Sequence, residues 1–306
     1  MEIIKNISII FISIFFESLP FLLLGAFISS LIETYVSNET MSKLIPKNPI
    51  LGSIVGVILG FFLPACDCAV IPVSKRLLKK KVPVNVAVSF MLASPIINPV
   101  VLLSTYYAFY KTNPNIFWYR LIFGILIALI IGVIMGIIFG RKDVTKNNTV
   151  ICECGHDHDE CECHHHEHKH GFKNDFISIV SHTTGDLFEV VKYLMFGALL
   201  ASLVQVLIPR NILVMFNTYP VIAILALMVF AYLISLCSTS DSFVGKTLLP
   251  SFGDKAILAY LLLGPMIDIK NTIVLAGNYK KGFVTTLIIL IFLVIFLSCT
   301  FMVGVL

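Results

Sequence analysis

Long apolar stretches recur along almost the whole chain. Each reaches the length of about 18 residues that lets a helix cross a hydrocarbon core about 30 Å thick. They lie at residues 7–32, 84–109, 116–139, 187–208, 219–237, 256–278 and 282–306. An eighth, near residues 50–73, is interrupted by Pro64 and by cysteines. We therefore predict an all-α polytopic membrane protein with about eight transmembrane helices.

The composition agrees with a membrane protein and argues against a nucleotide-driven enzyme. Of the 306 residues, 58% are hydrophobic and 13% are charged, whereas soluble domains carry about a quarter charged residues. The chain has no glycine-rich loop followed by Lys and Ser or Thr, which would indicate phosphate binding. We expect a transporter and not an enzyme. Its expected partners are membrane lipid and a small substrate, with no nucleic acid, and a homodimer is left open.

Positively charged residues in short loops predict the orientation, because the cytoplasmic side carries the excess of Lys and Arg. Residues 74–81 hold five such side chains, and two more stand at 141–142. The intervening loops near 33–49 and 110–120 hold two each.

This pattern predicts a multi-pass protein of the inner (plasma) membrane. Both termini, and the segment that begins after residue 140, are expected to be cytoplasmic. Lys270, Lys280 and Lys281 fall on the wrong side of this scheme.

Three motifs of the first half recur in the second half in the same order. The pairs are "FFESLPFLLLGAF" (15–27) with "LFEVVKYLMFGAL" (187–199), "CDCAVIPVSKRLL" (66–78) with "CSTSDSFVGKTLL" (237–249), and "SPIINPVVL" (94–102) with "GPMIDIKNT" (264–272). Because the spacing is nearly constant, we predict a duplication with repeats at residues 1–140 and 176–306. Four crossings in each half would make the repeats parallel, whereas a re-entrant segment near Cys66 would make them inverted.

Prolines interrupt the apolar stretches at corresponding places in the two halves. Proline removes a backbone donor and blocks helix continuation, so "LPACDCAVIP" (63–72) and "SPIINP" (94–99) are expected to break helices. Matching breaks in two halves are typical of a central binding site in transporters. The alternative is that these prolines only kink packed helices.

The linker at residues 141–175 differs from the rest of the chain in its content of Cys, His and acidic residues. Its candidate metal ligands are Cys152, Cys154, His156, His158, Cys161, Cys163, His164, His165, His166, His168 and His170. Thiolate and imidazole suit Zn, Cu or Ni. We predict a cytoplasmic metal-binding linker, with no cofactor required for transport itself; the alternative is a charged spacer.

The chain resembles a family of predicted permeases that includes the YraQ-like proteins and the ArsP-type organoarsenical efflux permeases. Four motifs carry the resemblance, "CDCAVIPVSKRLL" and "ASPIINPVVLL" in the first half and "CSTSDSFVGKTLLPSFG" and "GPMIDIKNT" in the second. Members usually have a small residue such as Ser between the two cysteines, and Asp67 departs from that pattern. The resemblance implies efflux of a thiol-reactive metal or metalloid species and leaves the substrate unidentified.

Cysteines at the predicted breaks are candidate substrate ligands. Cys66 and Cys68 stand at the first break, and the repeat places Cys237 at the related position. Thiolate is the form of cysteine that binds metal, and two or three sulfurs suit a trivalent arsenical or a soft cation. The alternative is that small apolar cysteines fill a tight helix crossing, which is the role expected for Cys299.

Acidic side chains inside the apolar stretches are candidates for ion coupling, because acids in a bilayer usually mark ion pathways or proton relays. Glu17 lies in the middle of the first stretch and Glu189 is its repeat mate, so both are predicted to couple protons. For Glu189 the alternative is a structural ion pair with Lys192, one helical turn away. Asp241 and Asp268 lie at the breaks of the second half, and Asn98 is the neutral counterpart of Asp268. These three are predicted to bind substrate together with the cysteines.

Glycines at four-residue spacing predict two close helix contacts. They are Gly52, Gly56 and Gly60, and Gly132, Gly136 and Gly140. Small residues at this spacing let helix backbones approach each other in a membrane.

These features together predict a secondary active, proton-coupled exporter of a thiol-reactive metal or metalloid species, such as a trivalent organoarsenical or Zn or Cu. A passive channel is one alternative. A membrane protein that exchanges disulfides through its cysteines is the other.

Overall fold

The protein is almost entirely helical in a computed structural model, which describes residues 2–35, 46, 48–62, 67–140, 143–146, 172–207 and 220–302. The helices are α1 (Glu2–Tyr35), α2 (Pro49–Phe62), α3 (Asp67–Lys79), α4 (Val84–Ile97), α5 (Pro99–Phe109), α6 (Asn115–Phe139), α7 (Phe172–Leu207), α8 (Pro220–Ile234), α9 (Ser238–Leu248), α10 (Asp254–Met266), α11 (Ile269–Asn278) and α12 (Lys281–Leu297). A π-helical turn, Ser298–Met302, follows α12. The all-α class is thereby confirmed.

Apolar helices occupy the predicted positions. Among the described residues, five are long and apolar enough to cross a membrane: Ile4–Leu31, Val84–Phe109, Asn115–Phe139, Asp254–Asn278 and Lys281–Phe301. Three shorter apolar helices are Pro49–Phe62, Val190–Val206 and Pro220–Ile234. The prediction of a multi-pass membrane protein is confirmed, whereas the number of full crossings depends on how the shorter helices run.

The centre of the bundle is formed by α4 and α10. Every residue of α4 is buried, as are all residues of α10 from Ala256 to Met266. These two helices contact each other, with α2 and α6 packed against α4 and with α8 and α12 packed against α10. The most complete burial therefore belongs to the helices that precede the breaks at Asn98 and Asp268.

Glycines allow α2 and α6 to pack closely against α4, as predicted. A Cβ atom at any of these glycines would collide with atoms of α4: Gly52, Gly56 and Gly60 of α2, and Gly132 and Gly136 of α6. Gly140 differs, because a Cβ atom there would meet the carbonyl of Gly136 in its own helix. Both predicted contacts are confirmed apart from this last position.

Several helix ends meet at one face of the bundle, which we call the lysine-rich face (residues 48–49, 76–85, 143–146 and 278–281). The Asn85 amide donates a hydrogen bond to the Pro49 carbonyl over 2.8 Å. Gly136, one turn before the end of α6, lies against Asn85. Thr145 pairs with Tyr279 in an antiparallel β-bridge. On the opposite face, the Asn113 amide donates to Asp254 over 2.9 Å.

The hairpin of α2 and α3 begins and ends at the lysine-rich face. Gly52, Gly56 and Gly60 meet successive turns of α4, so α2 runs inward beside it, and α3 returns to the turn at residues 80–83. Helices of 14 and 13 residues are about 20 Å long at 1.5 Å per residue. Each helix is thus shorter than a hydrocarbon core of about 30 Å, and the outer ends of both lie at the same face, so we call α2 and α3 a re-entrant hairpin.

The hairpin of α8 and α9 enters from the opposite face. The Phe230 ring lies 6.2 Å from the Tyr260 ring, and the Tyr232 hydroxyl donates to Thr272 over 3.1 Å. Thus α8 runs parallel to α10 and α11, starting from the face where Asn113 contacts Asp254. Helix α9 returns to that face, where it ends just before Asp254.

New helices begin within both segments predicted to contain breaks, at Asp67 and at Pro99, although other prolines lie inside helices. Pro72, Pro95 and Pro265 lie inside helices. The helices end instead at Asn98, whose neighbour Pro99 begins α5, and at residues 235–237 and 267–268. Proline is tolerated within the first turns of a helix, where its missing N–H is not needed, which explains why Pro99 starts a helix.

Two expectations about orientation change. Lys280 and Lys281 lie on the lysine-rich face with residues 76–81, so they no longer conflict with the charge pattern. The expectation that both termini share a face with the Cys/His linker is not met, because α12 starts at that face and runs 17 residues away from it. The described C-terminal end is therefore on the side opposite to residues 143–146.

Candidate functional site

A pocket between the two re-entrant hairpins collects three of the predicted site residues. The cavity volume there is about 20 Å³, room for about one water molecule, and the space is partly open to the outside. The lining residues are Ile14, Glu17, Ser18 and Phe21 of α1, Cys68 of α3, Ser235, Leu236 and Cys237 of the turn between α8 and α9, and Lys270 of α11. Glu17, Cys68 and Cys237 come from parts of the sequence that only the fold brings together.

Cys68 lies in the first turn of α3, with its side chain 2% exposed. Its Sγ atom is 3.9 Å from Oδ1 of Asn271, toward which it donates a weak hydrogen bond. The neighbouring Ala69 lies against Gly25 of α1, where a larger residue than glycine would collide with it. This close contact fixes the distance between α1 and the cysteine.

Cys237 precedes α9 as its N-cap residue. The side chain is half-buried, and its Sγ atom is 3.4 Å from the Thr239 hydroxyl. Both thiols therefore lie at the N-terminal ends of short helices, Cys68 in the first turn of α3 and Cys237 at the N-cap of α9.

Ser235 holds a strained turn at the wall of the pocket. Its φ angle is 55°, in the left-handed region that non-glycine residues rarely adopt. The side chain is 2% exposed, and its hydroxyl makes no hydrogen bond within the described part of the chain. Strain of this kind clusters at functional sites. No residue pattern in the sequence marks this position, so the sequence analysis missed it.

Lys270 brings a positive charge to the pocket wall and is 3% exposed. Its Nζ atom is 3.5 Å from Oδ2 of Asp268. Asp268 is the N-cap of α11, since its Oδ1 accepts a hydrogen bond from the Asn271 N–H over 2.6 Å. The buried acid therefore balances the lysine and starts the helix. Its predicted contact with substrate stays a prediction.

Asn98 and Asp241 are not among the described residues that line the pocket. Asn98 caps α5 as Asp268 caps α11, accepting a hydrogen bond from the Val100 N–H over 3.0 Å. Asp241 is 2% exposed and accepts a hydrogen bond from the Tyr260 hydroxyl over 3.0 Å. The predicted equivalence of Asn98 and Asp268 is thus matched by a shared structural role.

Arg120 forms a second buried polar cluster, which the sequence analysis missed. The side chain is 0% exposed and interacts electrostatically with Asp241. Its guanidinium donates to the Thr105 hydroxyl over 2.6 Å and to the Ser242 hydroxyl over 2.8 Å. The orientation argument counted Arg120 as a loop residue, but it lies in the second turn of α6. An arginine inside an apolar stretch was the signal that could have identified it.

In each half, the second helix of the re-entrant hairpin packs against the helix that follows the break in the other half. These pairs are α3 with the end of α11, and α9 with α5. On the lysine-rich side, the Ser74 hydroxyl of α3 is 2.7 Å from the Tyr279 hydroxyl. On the opposite side, Gly245 of α9 lies beside Phe109 of α5. Burial raises the pKa of Tyr279, so its hydroxyl stays protonated at neutral pH. These contacts lie on either side of the pocket.

Lys75 adds a second buried contact on the lysine-rich side. Its Nζ donates to Oδ1 of Asn278 over 2.9 Å, although the side chain is only 7% exposed. A lysine buried in this way needs such partners, since an isolated buried charge is costly. The contact therefore helps to hold α3 against the end of α11.

Several predicted residues lie outside the described part of the chain. These are Cys66, the side chains of Asp67 and Glu189, and all the candidate metal ligands between residues 151 and 170. Among the described residues, no group of three or more His, Cys, Asp or Glu side chains is placed to hold a metal ion. The soft-ligand site and the linker site therefore both stay predictions.

Comparison with known proteins identifies a common family. The family model ArsP_1, described as "Predicted permease", matches residues 3–303. A Streptococcus mutans serotype c protein, named as a subunit of a two-component membrane permease complex, is 36% identical over 290 residues, which cover 95% of this chain and 92% of that protein. The Bacillus subtilis (strain 168) protein UPF0718 protein YcgR is 34% identical over 290 residues, covering 95% and 94%. No solved structure matches the chain.

Proposed function

Since the chain belongs to the ArsP_1 family of predicted permeases, we propose that it is a secondary active exporter that exchanges protons for a thiol-reactive metal or metalloid species. A trivalent organoarsenical, Zn or Cu fits this description. The observation that carries the proposal is the pocket lined by Cys68, Cys237 and Glu17 between two re-entrant hairpins. Two thiols supply soft ligands, and a carboxylate beside them can take up the proton that drives exchange.

The proposed architecture is an inverted repeat of residues 1–140 and 176–306 around that pocket. The order of one long helix, a broken pair, a second broken pair and a final long helix occurs twice, and the two hairpins enter from opposite faces. The contacts of Ser74 with Tyr279 and of Gly245 with Phe109 join equivalent positions of the two repeats. Breaking one contact and then the other would open the pocket to each side in turn, as in other inverted-repeat transporters.

The lysine-rich face is the cytoplasmic side in this proposal, since positive residues collect there. The linker that follows residue 146 then offers its cysteines and histidines on the side from which an exporter takes its cargo. We propose that residues 151–170 bind Zn, Cu or Ni and pass the metal to the pocket or sense it.

A membrane-impermeant maleimide tests both the orientation and the linker site. In inside-out membrane vesicles it should modify Cys152, Cys154, Cys161 and Cys163, and prior addition of Zn should protect them, because a metal-bound thiolate is not free to react. In right-side-out vesicles these cysteines should not react. Modification that is equal in both vesicle types, or that Zn leaves unchanged, would contradict the proposal.

A second subunit is part of the proposal. The Streptococcus mutans relative is named as one subunit of a two-component membrane permease complex, and the two chains are similar over almost their whole lengths. We infer that this chain also works with a partner. The homodimer left open by the sequence is the alternative assembly.

Replacement of the pocket thiols tests the transport site. Cys68→Ser and Cys237→Ser should each weaken binding of a trivalent arsenical or soft cation by at least about tenfold, since even indirect changes at metal sites have effects of that size. Cys66→Ser is expected to weaken binding to a similar extent. Resistance of cells and uptake into inside-out vesicles measure the effect, with Cys299→Ala as the matched control because Cys299 lies outside the pocket. Wild-type transport in all three serine variants would exclude a sulfur site.

A further inference from the structure

The pocket opens sideways, between α1 and the turn that joins α8 to α9. Its deep residues are almost fully buried, with Cys68 at 2% and Lys270 at 3% exposure. Glu17 is exposed, and Phe21 is 40% exposed. We call the open side the mouth, defined by Glu17, Phe21, Leu236 and Cys237. Since the mouth faces away from the bundle, whatever lies beside α1 forms the missing wall of the pocket.

The mouth lies at the middle of the membrane. Glu17 is halfway along α1, which runs from Glu2 to Tyr35. Cys237 is at the inner end of a hairpin whose helices return to the opposite face. Exposed at this depth, the Glu17 carboxylate would face the hydrocarbon core, where an acidic group is costly.

The backbone of α1 adds a second acceptor at the same level. Pro20 lies inside the helix and has no N–H to donate to the Phe16 carbonyl four residues earlier. The Phe16 side chain is 68% exposed, so this side of α1 is uncovered. Lipid tails offer no hydrogen-bond donor to a carbonyl or a carboxylate. The surface beside the mouth thus requires a neighbour that carries donors.

We propose that a transmembrane helix of a second, different subunit covers the mouth and completes the pocket. At mid-membrane depth this helix presents a hydrogen-bond donor or a cation to Glu17, together with an apolar surface to Phe16 and Phe21. Polar groups of this kind hold membrane helices together. Such a partner encloses Glu17, so that its carboxyl group exchanges a proton with the pocket alone.

The chemistry of the mouth selects this occupant over a second copy of the chain. A twofold contact through α1 would place one Glu17 against another, and the two carboxyl groups would then hold a proton between them, whereas a donor or cation from a different chain leaves each Glu17 able to take up and release its own proton. Helix α1 is at the edge of the bundle, where it packs on α3 and α7, with only 17% of its most apolar window buried. The inference rests on the proposed function in taking the pocket as the transport site and this chain as one of two subunits.

Site-directed photocrosslinking in native membranes tests the docking without measuring transport. Phe21→p-benzoylphenylalanine should give an adduct with one membrane protein other than this chain, and Glu17→Lys in the same chain should abolish that adduct. The matched control is Leu126→p-benzoylphenylalanine on α6, since Leu126 is also 40% exposed. Adducts with lipid alone, with a second copy of the chain, or equally at both positions would overturn the proposal.

Alkylation of Cys237 tests the same proposal in the wild-type chain, so no substitution can affect the result. With the crosslinked protein co-expressed, modification of Cys237 by N-ethylmaleimide should slow several-fold, because the mouth is covered. Cys299, which is 0% exposed, is the internal reference and should stay unreactive in both preparations. An unchanged rate at Cys237 would overturn the proposal even if transport proceeds as proposed, so the two failures are distinguishable.

Discussion

Arg120→Leu is expected to lower the free energy of unfolding by about 3–5 kcal/mol, because it removes two hydrogen bonds from a charged group, each worth about 1.5–3 kcal/mol. The change also removes the positive charge that interacts electrostatically with the Asp241 carboxylate, which is buried beside Tyr260. The two hydrogen bonds, to Thr105 and Ser242, tie α5, α6 and α9 together. Thermal unfolding of the purified protein in detergent measures the effect, together with the yield of folded protein from membranes.

A double-mutant cycle separates the charge pair from simple loss of packing. Asp241→Asn alone should also destabilise the protein, because it leaves the Arg120 guanidinium uncompensated. The double variant with Arg120→Leu and Asp241→Asn should be more stable than the sum of the two losses predicts. Lys246→Leu is the matched control, since Lys246 is an exposed cation on the same helix, α9. Additive losses in the cycle would show that Arg120 and Asp241 act independently.

This cluster also explains why α9 is held against the opposite face. Arg120 reaches three different positions at the start of α9 and in the facing α5, including the Ser238 carbonyl over 3.4 Å. On the lysine-rich side, α3 is held by the neutral pair of Ser74 and Tyr279 and by Lys75. The two ends of the pocket are thus closed by different chemistry. An alternating cycle therefore has to break the Arg120 cluster on one side and the contacts of Lys75 and Tyr279 on the other.

Hydropathy predicted where the apolar helices lie, but not how each one runs. The stretch near residues 50–73 was long enough to cross a membrane, and only the packing of α2 beside α4 shows that it returns. A helix of about 14 residues is too short to span a bilayer, yet the sequence does not mark where its partner α3 begins. The charge pattern was more informative. Lys280 and Lys281 conflict with a topology in which each re-entrant hairpin counts as a crossing.

The motifs of the two halves name residues that line the pocket, and their contact with substrate stays a prediction. Alignment of Cys66 with Cys237 and of Glu17 with Glu189 pointed to residues that are distant in sequence, and the fold brings Glu17, Cys68 and Cys237 to one cavity. Asp241 follows Cys237 by a single helical turn, yet it points to Tyr260, because the direction of a side chain on a short helix depends on its packing. Arg120 and Ser235 depend on tertiary contacts and on backbone strain, which motif alignment does not capture.

Glu17→Gln is expected to abolish proton-driven export while leaving substrate exchange. Glutamine keeps the size and hydrogen-bonding capacity of the side chain at the pocket but cannot release a proton. In vesicles with an imposed pH gradient, uphill accumulation of the substrate should therefore fall to the level of vesicles without the protein. Exchange of labelled for unlabelled substrate, which needs no net proton movement, should continue because Cys68 and Cys237 are unchanged.

Glu17→Asp is the matched control for this prediction, since it retains a titratable carboxylate at the same place. It should preserve accumulation and its dependence on pH, with a changed rate because the shorter side chain shifts the carboxylate. The amount of each variant in the membrane has to be equal to that of the wild type, so that loss of folding is not mistaken for loss of coupling. A well-expressed Gln variant that still accumulates substrate with the wild-type pH dependence would show that Glu17 carries no coupled proton. The coupling group would then have to be sought among the other acidic residues, of which Asp268 lies 3.5 Å from the pocket lysine Lys270.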